Sequence, residues 1–286
     1  MRNIHRLFLT NLFLLLISMT LVVSADSDVS IPAYSGDDTA EVNDNTPFDD
    51  LMSIPDGLSF SDLDELGRCG PASAIVHPET LATESRGNIG GIKPTGWQQN
   101  KYPGVVDSEP PFLYNRSHLI AFMFLGNITN DERNLITGTR HFNADVMQEY
   151  ELKVVRYVES TGDSVRYRVT PVFEGDNLLA AGVLMEAESC TKGGLEFCVF
   201  CYNVQPGIGI DYATGKNWID ESQPISGKEK DDTKEVTYIA NENSKKFHRP
   251  DCEAVSQMKE KNKKPLTCSR DEAIAEGWEP CGMCKP

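Results

Sequence analysis

The sequence predicts an α+β protein with a small second module at its C-terminal end. Three observations carry this. Residues 165–175 (VRYRVTPVFEG), 180–190 (AAGVLMEAESC) and 195–205 (LEFCVFCYNVQ) are rich in β-branched, aromatic and aliphatic side chains, with turn signals GDN and KGG between them. Such runs read as three strands of an antiparallel meander. Upstream, a strand-like run over 114–124 (YNRSHLIAFMF) leads through a polar loop (GNITNDERN) into a helical pattern, with Met147, Tyr150, Val154, Val155 and Val158 near a 3.6-residue period. The last 35 residues hold four of the eight cysteines, Cys252, Cys268, Cys281 and Cys284.

Taken in order, residues 1–25 read as a secretory signal peptide. Arg2 and Arg6 give a positive start, LFLTNLFLLLISMTLVV is the apolar stretch, and Val23-Ser24-Ala25 supplies small residues for cleavage. No other stretch is long and apolar enough to span a bilayer, so the expected product is secreted or held at the extracellular surface. Residues 26–50 carry eight acidic side chains and no Lys or Arg, which predicts a disordered acidic leader. A globular region is expected over 51–219, a polar linker over 220–236 (DESQPISGKEKDDTKEV), and a module over 237–286. The net charge of −16 argues against a polyanionic partner, but the leader accounts for much of it. Local field decides phosphate binding, and Arg116, Arg133 and Arg140 cluster in sequence around the 114–124 run.

That run raises a chemical question, because Asn115, Arg116 and His118 interrupt an otherwise apolar strand. One wet sheet face would explain them. So would a site for phosphodiester hydrolysis, which needs a base for water, a cation for the phosphate and donors for its oxygens. A neutral imidazole serves as base near neutral pH, a guanidinium matches phosphate oxygens, and Mg²⁺ needs only one or two protein oxygen ligands. Asn143 is a good N-cap type at the expected helix start, and its carbonyl suits Mg²⁺. A strand bearing the base and a helix start bearing the metal ligand is the arrangement of a ββα-metal motif. His141 reads as helix-entry structure, and His77, before a proline, has no evident partner. Asn115-Arg-Ser and Asn127-Ile-Thr are N-glycosylation patterns; a glycan on Asn115 would sit on the candidate site, which favours a bacterial source.

The stretches NRSHLIAFMFLG, RNLITGTRHFN, MQEYELKV, YRVTPVFEGDNLLAAGVLMEA and VQPGIGIDYATG, with GRCGPA and ESRGNIGGIKPTGW upstream, resemble the secreted bacterial DNA/RNA non-specific endonucleases, in their DNA-entry nuclease and streptococcal DNase branch. The resemblance covers roughly 60–218. It implies a central antiparallel sheet flanked by helices, with a ββα-metal site. It also implies an Mg²⁺-dependent enzyme acting on DNA, with RNA as an open second substrate, and leaving 5′-phosphates. His118 takes the place of the general base, Asn143 of the Mg²⁺ ligand, and Asn134 of a second asparagine supporting the metal or its water. Glu151 matches a glutamate at the site edge and Arg116 the phosphate-contacting arginine; Arg140 and Lys93 are further substrate-binding candidates. The broader family has Asp-Arg-Gly-His where this chain has Asn115-Arg116-Ser117-His118. A rival from another class is a non-catalytic extracellular nucleic-acid-binding or surface protein on the same fold.

In the C-terminal module, His248-x₃-Cys252 and Cys281-x₂-Cys284 give two ligand pairs suited to a tetrahedral Cys₃His Zn²⁺ site. A chain of about 50 residues needs a metal or disulfides to supplement its core. The module resembles the zinc-binding domain of the Ada DNA-repair protein, with His248 where that domain has a cysteine. Two disulfides are the alternative. In the larger region Cys190 and Cys198 flank a turn and could face each other across a hairpin, leaving Cys69 and Cys201.

Overall fold

Period-2 burial along the meander builds one large antiparallel sheet. The computed structural model describes residues 21–22, 30–223, 236–250, 252–281 and 284, and the chain divides into two units, 1–223 and 224–286. The expected signal peptide lies outside the described residues except for 21–22, and so do residues 224–235 of the expected linker.

In chain order the larger unit contributes β1 (Thr39–Glu41), β2 (Leu58–Phe60), β3 (Ala72–Val76), β4 (Tyr114–His118), the one-turn helix α1 (Phe122–Leu125), β5 (Leu135–Thr139), the helix α2 (Gln148–Thr161), β6 (Val165–Val172), β7 (Gly182–Ser189), β8 (Glu196–Tyr202), β9 (Ile208–Ile210) and β10 (Asn217–Ile219). Six strands pair antiparallel in the order β1-β8-β7-β6-β3-β2, with β6-β7-β8 the expected meander. β4 and β5 form a separate two-stranded ladder, as do β9 and β10. Alternation sorts the side chains. Val183, Met185, Ala187, Phe197, Val199 and Cys201 join the main core with Val154 and Val158 of α2 and Phe142. Leu184, Cys198, Phe200 and Tyr202 face the other way and pack with Ile31 and Val42.

That second cluster corrects the expected disordered leader. From residue 30 onward the acidic segment is part of the fold. β1 completes the edge of the sheet against β8, and Ile31 and Val42 are buried. Tyr202 donates its hydroxyl to Pro32 O (2.7 Å), and the Asn45 side chain accepts from Cys198 N (3.0 Å). Asp50 binds Arg168 (2.6 Å), which also grips the buried Glu186 (2.7 Å). Composition missed this because Asp38 and Asp50 find their partners, His141 and Arg168, far away in sequence. The described part of the larger unit therefore runs beyond the expected 51–219.

Two further expectations change. The strand expected over 114–124 ends at His118. Asn134 captures the next turn, its Oδ1 accepting from Ile120 N (2.8 Å) and its Nδ2 donating to Ile120 O (2.9 Å), so residues 119–121 leave the ladder. Apolar content alone cannot separate such a buried turn from a strand. Nor does Asn143 cap the helix. Helical backbone begins at Arg140, the Thr139 hydroxyl accepts from Phe142 N (3.0 Å), and Phe142–Met147 is a wide π turn continuing into α2. Gly162, at φ 72°, ends that helix. No disulfide joins any of the described cysteines; Cys198 lies opposite Glu186 in the hairpin, so the expected Cys190–Cys198 facing pair does not form.

The smaller unit has β11 (Val236–Asn241), β12 (Lys246–His248), α3 (Glu253–Ser256), β13 (Lys263–Cys268), α4 (Arg270–Ala275) and β14 (Glu279–Pro280). Its sheet has the order β13-β11-β12-β14. Tyr238, Ala240, Phe247, Leu266, Ala273 and Trp278 form a small core, and Ser269 with Glu272 makes a capping box at α4. Among the described residues no helix is long and apolar enough to cross a membrane.

Candidate active site

The base candidate stands at the end of β4. His118 is buried, and burial, aided by the charge of Arg86, pushes its imidazole down to about 4 despite the hydrogen bond to Asn130. It is therefore neutral at physiological pH. Its Nε2 lies 3.0 Å from Asn130 Oδ1. The tautomer follows from backbone groups further along. Asn127 Nδ2 donates to Ser85 O (3.1 Å) and its Oδ1 accepts from Gly87 N (2.6 Å), which orients that amide. Asn130 Nδ2 then donates to Asn127 Oδ1 (2.9 Å), so Asn130 presents its oxygen to His118. Nε2 must carry the proton, and Nδ1 keeps the free lone pair.

Helix α2 supplies the second group. Glu151 is buried, and desolvation raises its carboxyl to about 8, partly opposed by Arg86. On a straight α-helix, eight residues would leave Asn143 and Glu151 about 80° apart around the axis, and the extra residue of the π turn reduces this to roughly 20°. The wide turn thus puts both on one face. Asn143 is half-buried, and among the described residues its carboxamide has no hydrogen-bond partner. The hydroxyl of Tyr167, within electrostatic reach of Glu151, is also buried without a partner. An uncommitted amide oxygen and a carboxyl group on one helix face are donors of the kind that fit a hard divalent cation.

The cation that acts on this site is Arg86, which the sequence reasoning passed over. It is exposed, its guanidinium lies 4.9 Å over the Phe122 ring, and its charge influences both His118 and Glu151. Its only sequence signal is its place in ESRGNIGG, inside the resembling stretch. Arg116 is placed differently from expectation. Its Nε donates to Ile92 O and its Nη2 to Gly90 O (2.8 Å), while its plane stacks on Trp97 at 4.4 Å. It braces the 90–97 loop. Asn134, fully buried, uses Nδ2 on Ile120 and Thr129 carbonyls (both 2.9 Å) and Oδ1 on Ile120 N, so it shapes the turn after His118.

Of the remaining candidates, Arg140 is half-buried at the start of helical backbone, its N–H donating to Leu113 O (2.7 Å). Lys93 is exposed and lines a cavity of about 210 Å³ with Cys69, Thr95, Glu132 and Leu135; His118, Asn143 and Glu151 do not line it. His141 bridges Asp38 (2.9 Å) and Asp145 (3.3 Å), which raise its pKa to about 9 in spite of burial. His77 does have partners, Asp56 (2.9 Å) and Ser164 (2.6 Å). Ser117 holds the glycine position of the broader motif, and Gly138 makes room for it: a Cβ at Gly138 would lie 2.2 Å from Ser117 Oγ.

In the smaller unit His248, Cys252, Cys281 and Cys284 converge, with their ligand atoms all within 4.8 Å of one another. His248 Nδ1 lies 3.6 Å from Cys252 Sγ, and Cys284 Sγ accepts from Arg249 N (3.4 Å). Three sulfurs and one imidazole at this spacing form a possible metal site.

Residues 52–191 match the DNA/RNA non-specific endonuclease family. Two crystal structures of the NucA protein of Streptococcus agalactiae are similar at 26% identity, covering 63% of this chain and 86% of theirs. The TM-score is 0.53 to the form with no metal bound and 0.54 to the form with a magnesium ion bound. The structure of the Sda1 nuclease with a bound zinc ion matches 57% of this chain and 81% of its own at 26% identity, with a TM-score of 0.48.

Proposed function

We propose that this chain, whose residues 52–191 match the DNA/RNA non-specific endonuclease family, is a nuclease that cuts phosphodiester bonds with water activated by His118. The observation carrying this reading is the buried, neutral His118 whose free lone pair is on Nδ1. Nδ1 takes a proton from water as the water attacks phosphorus in line with the leaving oxygen. Deprotonated above about pH 4, the imidazole is ready throughout the neutral range. Charge gathering on the phosphate oxygens is met by Arg86, which takes the clamp role first expected of Arg116.

Asn143, through its amide oxygen, and Glu151, directly or through water, would hold a divalent cation. Magnesium is the choice, on the oxygen donors and on the magnesium-bound state of the Streptococcus NucA structure. Such an ion supplies Lewis-acid stabilisation of the phosphate and leaving oxygen. Substrates are DNA, with RNA accepted because every group in the site addresses phosphate and none a base or a 2′-hydroxyl. Zn²⁺ in the His248, Cys252, Cys281 and Cys284 cluster would have a structural role in the small unit. The charged start and apolar run of residues 1–25 support secretion. A plasmid-degradation assay with and without EDTA, restored by Mg²⁺, tests the activity. Intact plasmid under all conditions would favour the non-catalytic nucleic-acid-binding alternative.

A further inference from the structure

Behind His118 lies a chain of side-chain amides that leads directly to the loop carrying Arg86. Asn130 accepts from His118 Nε2 (3.0 Å) and donates to Asn127 (2.9 Å). Asn127 then turns its backbone N–H and both polar atoms of its side-chain amide on residues 84–87. Its backbone N–H donates to Glu84 Oε1 (2.6 Å), its Nδ2 to Ser85 O (3.1 Å), and its Oδ1 accepts from Gly87 N (2.6 Å). The packing is close. A Cβ at Gly87 would lie 2.9 Å from Asn127 Oδ1 and 3.4 Å from Asn130 Nδ2, and one at Gly126 would lie 2.3 Å from Glu84 Oε1. Arg86 sits in the middle of the clamped segment, over Phe122.

We infer that Asn127 and Asn130 are positioning residues forming one amide relay, which sets the tautomer and aim of His118 and at the same time fixes the loop that presents Arg86. Two facts support a dedicated device over incidental bonding. The direction of every bond in the relay is dictated by backbone groups of 85 and 87, so it delivers an acceptor, and only an acceptor, to His118. The relay also joins the two groups that must meet one phosphate from opposite sides: the base on β4 and the cation on a loop more than thirty residues earlier. A 1 Å error between them would cost catalysis heavily. The inference rests on the reading of His118 as the base, and it extends that reading to what aligns the base with its cation.

Steady-state kinetics on DNA of the full chain, with ¹⁵N-imidazole NMR of His118, provide the test. In the parent, His118 should be a single Nε2–H tautomer. Asn130→Ala should lose that preference and lower kcat by roughly 10- to 100-fold, the range for groups that orient a site from behind, with KM little changed. Asn127→Ala should lower kcat and also raise KM, because it frees the Arg86 loop. The two together should cost less than the product of the single losses. Asn130→Asp puts a carboxylate against Nε2, where the charge of Arg86 already acts on His118, and should move the acid limb of the kcat profile up by about one to three pH units. A purely structural asparagine would lower activity without moving that limb. Should Asn127→Ala fail to fold, Gly87→Ala presses on the same pair and should show the same kcat and KM pattern. An Nδ1–H tautomer in the parent, an unmoved acid limb in Asn130→Asp, or independent losses in the double variant would each overturn the relay. Equal cutting by the parent and His118→Ala would overturn the base assignment instead, and the NMR tautomer would still decide the relay.

Discussion

On the proposed reading four side chains, His118, Arg86, Asn143 and Glu151, divide the chemistry, and substitution separates three of them. Removing the base should cost the most: His118→Ala is expected to lose roughly two to four decades of kcat with the fold intact, the usual worth of general base catalysis. Near-parental cleavage would place the base elsewhere. Asn143→Ala should raise the Mg²⁺ concentration needed for activity or abolish activity altogether, read as rate against added metal; an unchanged requirement would remove Asn143 from the ligand set. The two arginines make a sharper contrast. Arg86 has no hydrogen bond among the described residues, whereas Arg116 holds two backbone carbonyls. Arg86→Ala should therefore weaken DNA binding and turnover while leaving the melting temperature unchanged. Arg116→Ala should lower the melting temperature by freeing the 90–97 loop. The reverse pattern would restore Arg116 to the phosphate. His118 and Asn143 could be named as candidates from the sequence because spaced motifs point to them. Arg86 could not be told from Arg116 there, since both are arginines in resembling stretches. Only the partners of each guanidinium distinguish a brace from a free cation.

At the scale of elements, the segment before residue 51 and the turn at 142–147 hold what composition conceals. The meander was legible because three runs of alternating apolar residues separated by turn residues admit few other arrangements. The N-terminal segment was not, since its acids read as self-repelling until Asp38 finds His141 and Asp50 finds Arg168. Nor was the π turn, because one extra residue in a helical turn barely disturbs an apolar period. His141 makes the docking of the acidic segment sensitive to pH. Two aspartates raise its pKa to about 9, above the unfolded value near 6.5. Its contribution is thus fully present below pH 6.5 and is lost as the pH rises through 9. Asp38 and Asp145 are themselves substantially exposed, so the gain is held to about 1 kcal/mol, or about 2–4 °C in melting temperature. Thermal melts at pH 6 and pH 10 should differ more in the parent than in Asp38→Asn. Equal pH slopes in the two proteins would mean that this contact adds nothing.

On the scale of the whole chain, the two units draw on different sources of stability. The larger has a six-stranded sheet covered by helix and N-terminal segment, and it contains every residue assigned to cleavage. Among the described residues the smaller has six buried hydrophobic residues in its core cluster and a cluster of four ligand-type side chains. Its core alone is marginal at this size, so metal binding should supply much of its folding free energy. The chain divides after Gln223, close to the linker read from 220–236. A protein ending at Gln223 should therefore still degrade plasmid in the presence of Mg²⁺, at a rate within a few-fold of the full chain. Metal analysis should find about one zinc per full chain and none in the shorter protein, and a strong chelator should melt the small unit while the truncated protein is unaffected. A folded but inactive truncated protein would make the small unit part of the catalytic apparatus. A full chain that holds no zinc after gentle purification and has no reactive thiols among Cys252, Cys281 and Cys284 would show that disulfides take the place of the metal.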